Sequence, residues 1–160
     1  MSDLSRNQKE VLGMLKKCGH LSGMLELQCL TYIAQEIDWI KTDYLFDFSL
    51  NLPFSSQLER DCLILELRGL ITGAQEPVPS GLRLTTKGAE AAGGEPDAGF
   101  ELCSFDPRFL ILLSQLLYLR SIREDQEPDL GSLIKKVFFV HDESEVNEGI
   151  KFLQKAGVSA

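Results

Sequence analysis

The sequence predicts a mainly α fold carrying one small β-hairpin (α+β), and three observations point there. Apolar residues recur at helical spacing along most of the chain. Ser5, Ser55, Asp106, Asp129 and Asp142 stand where helix N-caps belong, with Gly19, Gly69 and Gly157 placed as stops. The segment 73–81, rich in turn formers, separates two short β-type runs. With 160 residues, 44% of them apolar and 25% charged, the chain can bury a real core as one domain with an appendage, which excludes wholesale disorder, a collagen repeat or a disulfide-stapled miniprotein.

The first helix starts at Ser5, which has capping-box spacing to Gln8, and turns Leu4, Val11, Leu15 and Cys18 to one face. Ser22 opens a second, Gly23 to about Ile37, apolar nearly all round and therefore central. Alternating apolar residues over 44–50 predict a short strand that Pro53 ends. Ser55 caps a third helix running to Arg68. Leu70–Thr72 and Leu82–Thr85 make the hairpin, and Thr86 to Ala92 a brief helix. The segment 93–99 has the composition of a linker. Beyond it, Asp106-Pro107 starts a helix to about Ile122. Asp129 caps another, with Leu130, Leu133, Ile134, Val137 and Phe138 on one face. Asp142 and Glu145 fit a second capping box, with Val146, Ile150 and Leu153 forming the stripe that follows.

Helix, helix, strand, helix, hairpin, helix is the order of a winged helix-turn-helix. We therefore expect a winged-helix domain over 1–92, a linker over 93–99 and a helical extension over 100–160. The helix Pro107–Ile122 is apolar almost all round, so it is buried either within one subunit or in the seam of a homodimer, and we expect the homodimer.

Leu25 to Gln35, with its leucine-rich run and Tyr32-x-x-Gln35, is similar to the second-helix pattern of the YwgA-like and Panacea-like proteins. Pro53-Phe54-Ser55 through Leu58, Asp61 and Gly69-Leu70-Ile71 resembles their Gly-Pro-aromatic-Ser segment, with Leu52 where the pattern has Gly. Leu84-Thr85-Thr86-Lys87-Gly88 is similar to the wing end of many winged-helix regulators. The likeness covers about residues 10 to 92. It implies a winged-helix protein of regulator, antitoxin or adaptor type, and no catalytic residue.

Sixteen Lys+Arg against 24 Asp+Glu give a net charge of −8, which argues against coating nucleic acid or anionic lipid by bulk charge. A local face can still act. Winding the third helix puts Leu58, Cys62 and Leu65 inward and Gln57, Arg60, Asp61, Ile64 and Arg68 outward, while Arg83 and Lys87 lie near the wing. We therefore expect a transcription-regulator-like protein reading duplex DNA through Gln57, Arg60, Arg68, Arg83 and Lys87. The same face, with Ile64 at its centre, fits a protein-interaction module of antitoxin or adaptor type. A solvated face with one stray isoleucine is the third reading.

No phosphate loop, dinucleotide fingerprint, metalloprotease or nucleophile-elbow motif occurs, so we expect a non-catalytic protein without cofactor or metal. Cys18, Cys29 and Cys62 fall on apolar stripes and read as buried reduced thiols; a zinc site from Cys18, His20 and a distant cysteine is the alternative. The first residues lack a signal-peptide layout and no apolar run approaches a membrane span. The expected location is cytoplasmic.

Overall fold

The computed structural model describes residues 3–75, 81–92, 101–123, 129–138 and 141–158, the side chains of 136 and 137 excepted. Mainly helical, the chain carries a small three-stranded antiparallel sheet. Helix α1 (Arg6–Cys18) begins with both halves of the expected capping box: the Gln8 amide donates to Ser5 Oγ at 3.1 Å, and the Ser5 amide to Gln8 Oε1 at 3.0 Å.

Strand β1 is His20–Leu21, a pairing too short to show in the sequence pattern. Helix α2 (Met24–Glu36) has Gly23, not Ser22, at its N-cap; the Ser22 amide and hydroxyl are turned to the Glu26 carboxylate, at 2.8 and 2.6 Å. Its middle, Leu27 through Ala34, is buried all round as expected. The strand expected over 44–50 does not form. Only an isolated bridge, Asp47 to Phe54, is present. Tyr44 instead satisfies its backbone on the Gln35 side chain, at 3.0 and 2.9 Å. The alternating aromatics pack on helices: Tyr32 meets Phe46 and Phe48 edge-on, and Phe48 stacks on Tyr118 at 4.2 Å.

Helix α3 (Ser56–Leu67) follows Ser55, whose Oγ accepts the Leu58 amide. Strands β2 (Ile71–Thr72) and β3 (Leu82–Leu84) pair, and β3 also pairs with β1, so the sheet order is β1-β3-β2. The outer part of the expected hairpin tip, 76–80, lies outside the described residues. Gly81 (φ +74°) is required where β3 meets β1, because a Cβ there would run into the Leu21 carbonyl. Helix α4 (Thr86–Ala91) is capped by Thr85, which accepts the Gly88 amide and donates to the Gly69 carbonyl. The Leu-Thr-x-x-Gly motif thus fastens the start of α4 to the turn that ends α3.

The linker expected over 93–99 lies outside the described residues. A 3-10 turn, Glu101–Ser104, leads to α5 (Pro107–Ile122), α6 (Leu130–Val137) and α7 (Glu143–Lys155), each begun by the expected aspartate. At Asp142 the forward half of the capping box is present, the Glu145 amide donating to Oδ1 at 2.8 Å. Helix α5 packs against α2, α6 and α7, so that Leu110, Leu112, Leu113, Leu116, Leu117 and Leu119 are buried within one chain. This corrects the reason for expecting a homodimer: the second side of α5 is covered by the chain's own last two helices. Each such leucine contributes roughly 1.5–3 kcal/mol by leaving water.

The expectation of reduced thiols fails at Cys18, which is bonded to Cys103 with a Cα–Cα distance of 5.1 Å; Cys29 and Cys62 are free and buried. With its sulfur in that bond, Cys18 cannot serve the zinc site weighed with His20.

One polar link fastens α5 to the segment before α7. Gln115 donates from Nε2 to the Asn51 carbonyl at 3.0 Å, which leaves Oε1 facing His141 Nε2 at 2.6 Å. His141 must therefore donate from Nε2, and its Nδ1 is buried without a partner among the described residues. Burial lowers the His141 pKa; Arg108 also lowers it, while Glu145 and Asp142 pull upward. Because burial makes the folded state prefer neutral imidazole, this contribution to stability is full above the ordinary value of 6.5 and is lost as pH falls below it, although Nε2 can still donate to Gln115. Urea midpoints taken between neutrality and about pH 5.5 should fall with acid, and less steeply in His141→Gln. Equal slopes for both proteins would contradict the assignment.

Candidate functional site

The face singled out by sequence belongs to α3, and its position is set from α2. Gln28, buried in the middle of α2, grips Ser55 on both sides: its Nε2 donates to the Ser55 carbonyl at 3.1 Å, and its Oε1 accepts the Ser55 amide at 2.9 Å. Leu58, Cys62 and Leu65 then point into the core, as the helical winding predicts.

Two of the three acids on α3 are turned into the fold. Asp61 accepts from the Tyr44 hydroxyl at 2.5 Å and from Gln8 Nε2 at 3.1 Å. Burial and the neighbouring Asp61 hold the Tyr44 phenol well above its usual range, so it stays a donor. Glu66 accepts the amides of Ala74 and Gln75, both at 3.0 Å, and so fixes the turn after β2. The outward surface is left with Arg60, exposed Ile64 and Leu67, and Glu59 to one side. Leu67 is 81% exposed and Ile64 37%.

The six predicted contact residues divide accordingly. Arg60 and Ile64 line the outward face. Gln57 is exposed at its start and braces the preceding segment, its Oε1 accepting the Leu45 amide at 3.4 Å. Arg68 is the half-buried C-cap of α3, and its carbonyl accepts Lys87 Nζ at 3.0 Å. Those two, with Lys9, line a shallow depression shared with Asp3 and Glu90. Arg83 stands exposed on the central strand, paired between His20 and Thr72. The structure thus brings Arg68 to Lys87 and sets Arg60 beside Ile64, and it gives Gln57 and Lys87 bonds inside the fold.

Sequence reasoning missed Leu67, which a leucine-rich helix invites one to count as core. It also missed a groove of about 570 Å³ between the first turn of α2 and the segment before α3, lined by Leu25, Leu50, Leu52 and Phe54 with Asp47 and Glu59. The signal was there: Leu50-Asn51-Leu52-Pro53-Phe54 is unusually apolar for a connection.

The free thiols are not reactive groups, since burial pushes Cys29 up to about 11 and Cys62 up to about 12. Among the described residues no group of three or more His, Cys, Asp or Glu is placed to hold a metal ion. No helix among them is long and apolar enough to cross a membrane. Compared with known proteins, the chain matches no family model, no curated protein and no solved structure.

Proposed function

We propose that residues 3–92 form a winged helix-turn-helix that works as a protein-interaction module, docking a partner on the outward face of α3. The order α1, β1, α2, α3, β2, β3 and the sheet order β1-β3-β2 support the fold reading. The observation that carries the function is Leu67, 81% exposed on the same side of α3 as Ile64, with exposed Arg60 one turn before Ile64. An exposed apolar pair with one arginine beside it suits an apolar protein segment bearing a carboxylate better than a phosphate backbone. The module acts without catalysis and without a cofactor. Kinship with the YwgA-like and Panacea-like proteins belongs to the same proposal. So does a cytoplasmic location, against which the Cys18–Cys103 disulfide weighs, because the cytosol keeps most thiols reduced.

Duplex DNA is the second reading, favoured by the inward turn of Asp61 and Glu66, which leaves the face more cationic than its composition. Two measurements separate them. A photo-crosslinking residue at position 67 should give a light-dependent adduct with one discrete protein, lost in Ile64→Asp while the melting temperature holds. Random duplex at low salt should leave fluorescence anisotropy unchanged at about 10 μM protein. Saturable duplex binding that weakens in Arg60→Ala, with the salt slope falling by roughly one, would replace the protein reading with the DNA one.

A further inference from the structure

We infer that the groove between the start of α2 and the 47–54 segment is a binding site for a small amphiphilic amine, an ammonium group on an apolar body. This inference stands apart from what α3 docks. The groove's volume of about 570 Å³ lies within the range of small-molecule sites. Its walls keep large apolar side chains partly in water: Leu25 is 50% exposed, Leu50 83% and Phe54 42%.

The polar groups decide the ligand's charge. Gln28 lies in the lining, but its amide is committed at both ends to Ser55. Asp47 and Glu59 are exposed carboxylates at the groove, and no lysine, arginine or histidine is among the residues that line it. Among the described residues neither carboxylate has an ion-pair partner; the Asp47 carboxylate accepts from the Ser49 amide and hydroxyl. An anion would meet two like charges here, and a neutral molecule would leave them unanswered. An ammonium group complements them and can also lie over the Phe54 ring. The occupant would touch Phe54, directly ahead of the Ser55 cap, and Leu25 in the first turn of α2.

The test uses the full chain, amide NMR spectra and three probes of matched shape: 2-phenylethylamine, 2-phenylethanol and 3-phenylpropionate. The amine should shift the amides of 24–28 and 47–59 saturably, with a Kd of about 1 mM for so small a probe. The alcohol should bind about tenfold more weakly, and the carboxylate should leave these amides in place. Asp47→Asn combined with Glu59→Gln should erase the difference between amine and alcohol, and Leu50→Ser should weaken both, each variant keeping the native spectrum. Equal binding of amine and alcohol to the unaltered protein overturns the inference, as does the absence of any shift at these amides. Groove amides that move with protein concentration alone overturn it too, by showing a second copy seated there. Asp47→Asn and Leu50→Ser lie off α3 and leave the cross-link at position 67 in place, so a failure here leaves the α3 proposal standing, and the reverse holds.

Discussion

Reduction of the Cys18–Cys103 disulfide is expected to lower the melting temperature by about 10 °C, the largest change any single bond in this protein should produce. The two cysteines are separated by 85 residues, so the bond restricts more than half of the unfolded chain. Loop-closure entropy for a span of that length is worth about 4.5 kcal/mol in the chain-entropy account, with roughly 2–4 kcal/mol the usual yield. In a chain this long each kcal/mol moves the midpoint by about 2–4 °C. The bond joins the last residue of α1 to the 3-10 turn that leads into α5, so reduction also frees the base of α5 from α1. Melting with and without reductant measures the shift. Cys103→Ser should melt like the reduced protein and lose its response to reductant, whereas Cys62→Ser should keep that response. Unfolded but unreduced protein should show two titratable thiols, Cys29 and Cys62. An unchanged midpoint in protein whose four thiols have all been freed would overturn the expectation.

The disulfide also marks where sequence reading reached its limit. Helices declare themselves locally: Ser5, Ser55, Asp106, Asp129 and Asp142 each cap the helix expected of them, because a cap needs only a side chain and an amide three residues on. The features that sequence missed are settled between distant segments. Cys18 finds a partner 85 residues away. His20–Leu21 becomes a strand only because β3 lies beside it. The 44–50 segment has the alternation of a strand and loses the ladder to the Gln35 side chain, while its aromatics go to α2 and α5. Helix α5 looks too apolar for one chain until α6 and α7 are laid against it.

The candidate face was half legible for the same reason. Winding α3 correctly separates Leu58, Cys62 and Leu65 from Arg60 and Ile64, since that follows from helical period alone. It leaves Asp61 among the outward residues, where the structure turns it to Tyr44 and Gln8. Nor could period alone show that Leu67 stays in water or that Lys87 returns to the carbonyl of Arg68. A charge count along α3 therefore understates how cationic, and how apolar, its outward face is.

The presentation of that face should depend on Gln28 more than on any residue of α3 itself. Gln28 is 3% exposed and carries the paired hydrogen bonds that set the Ser55 cap against α2. In Gln28→Leu the volume is nearly kept, so little cavity forms, and the loss comes from polar groups. The Ser55 carbonyl still accepts the Glu59 amide at 3.1 Å, but the Ser55 amide is left buried without an acceptor. An orphaned buried donor together with the lost bonds costs about 2–3 kcal/mol, which urea denaturation would read directly. Ser55→Ala removes only the cap to the Leu58 amide and should cost about 1 kcal/mol. The order of the two distinguishes a brace between helices from an ordinary helix cap. If Gln28 sets where α3 lies, its substitution should also speed amide exchange over 55–59 and reduce the cross-link at position 67, although it touches neither Ile64 nor Leu67. A stability change under about 0.5 kcal/mol, the size of a neutral surface substitution, would mean that α3 is placed by its buried leucines alone.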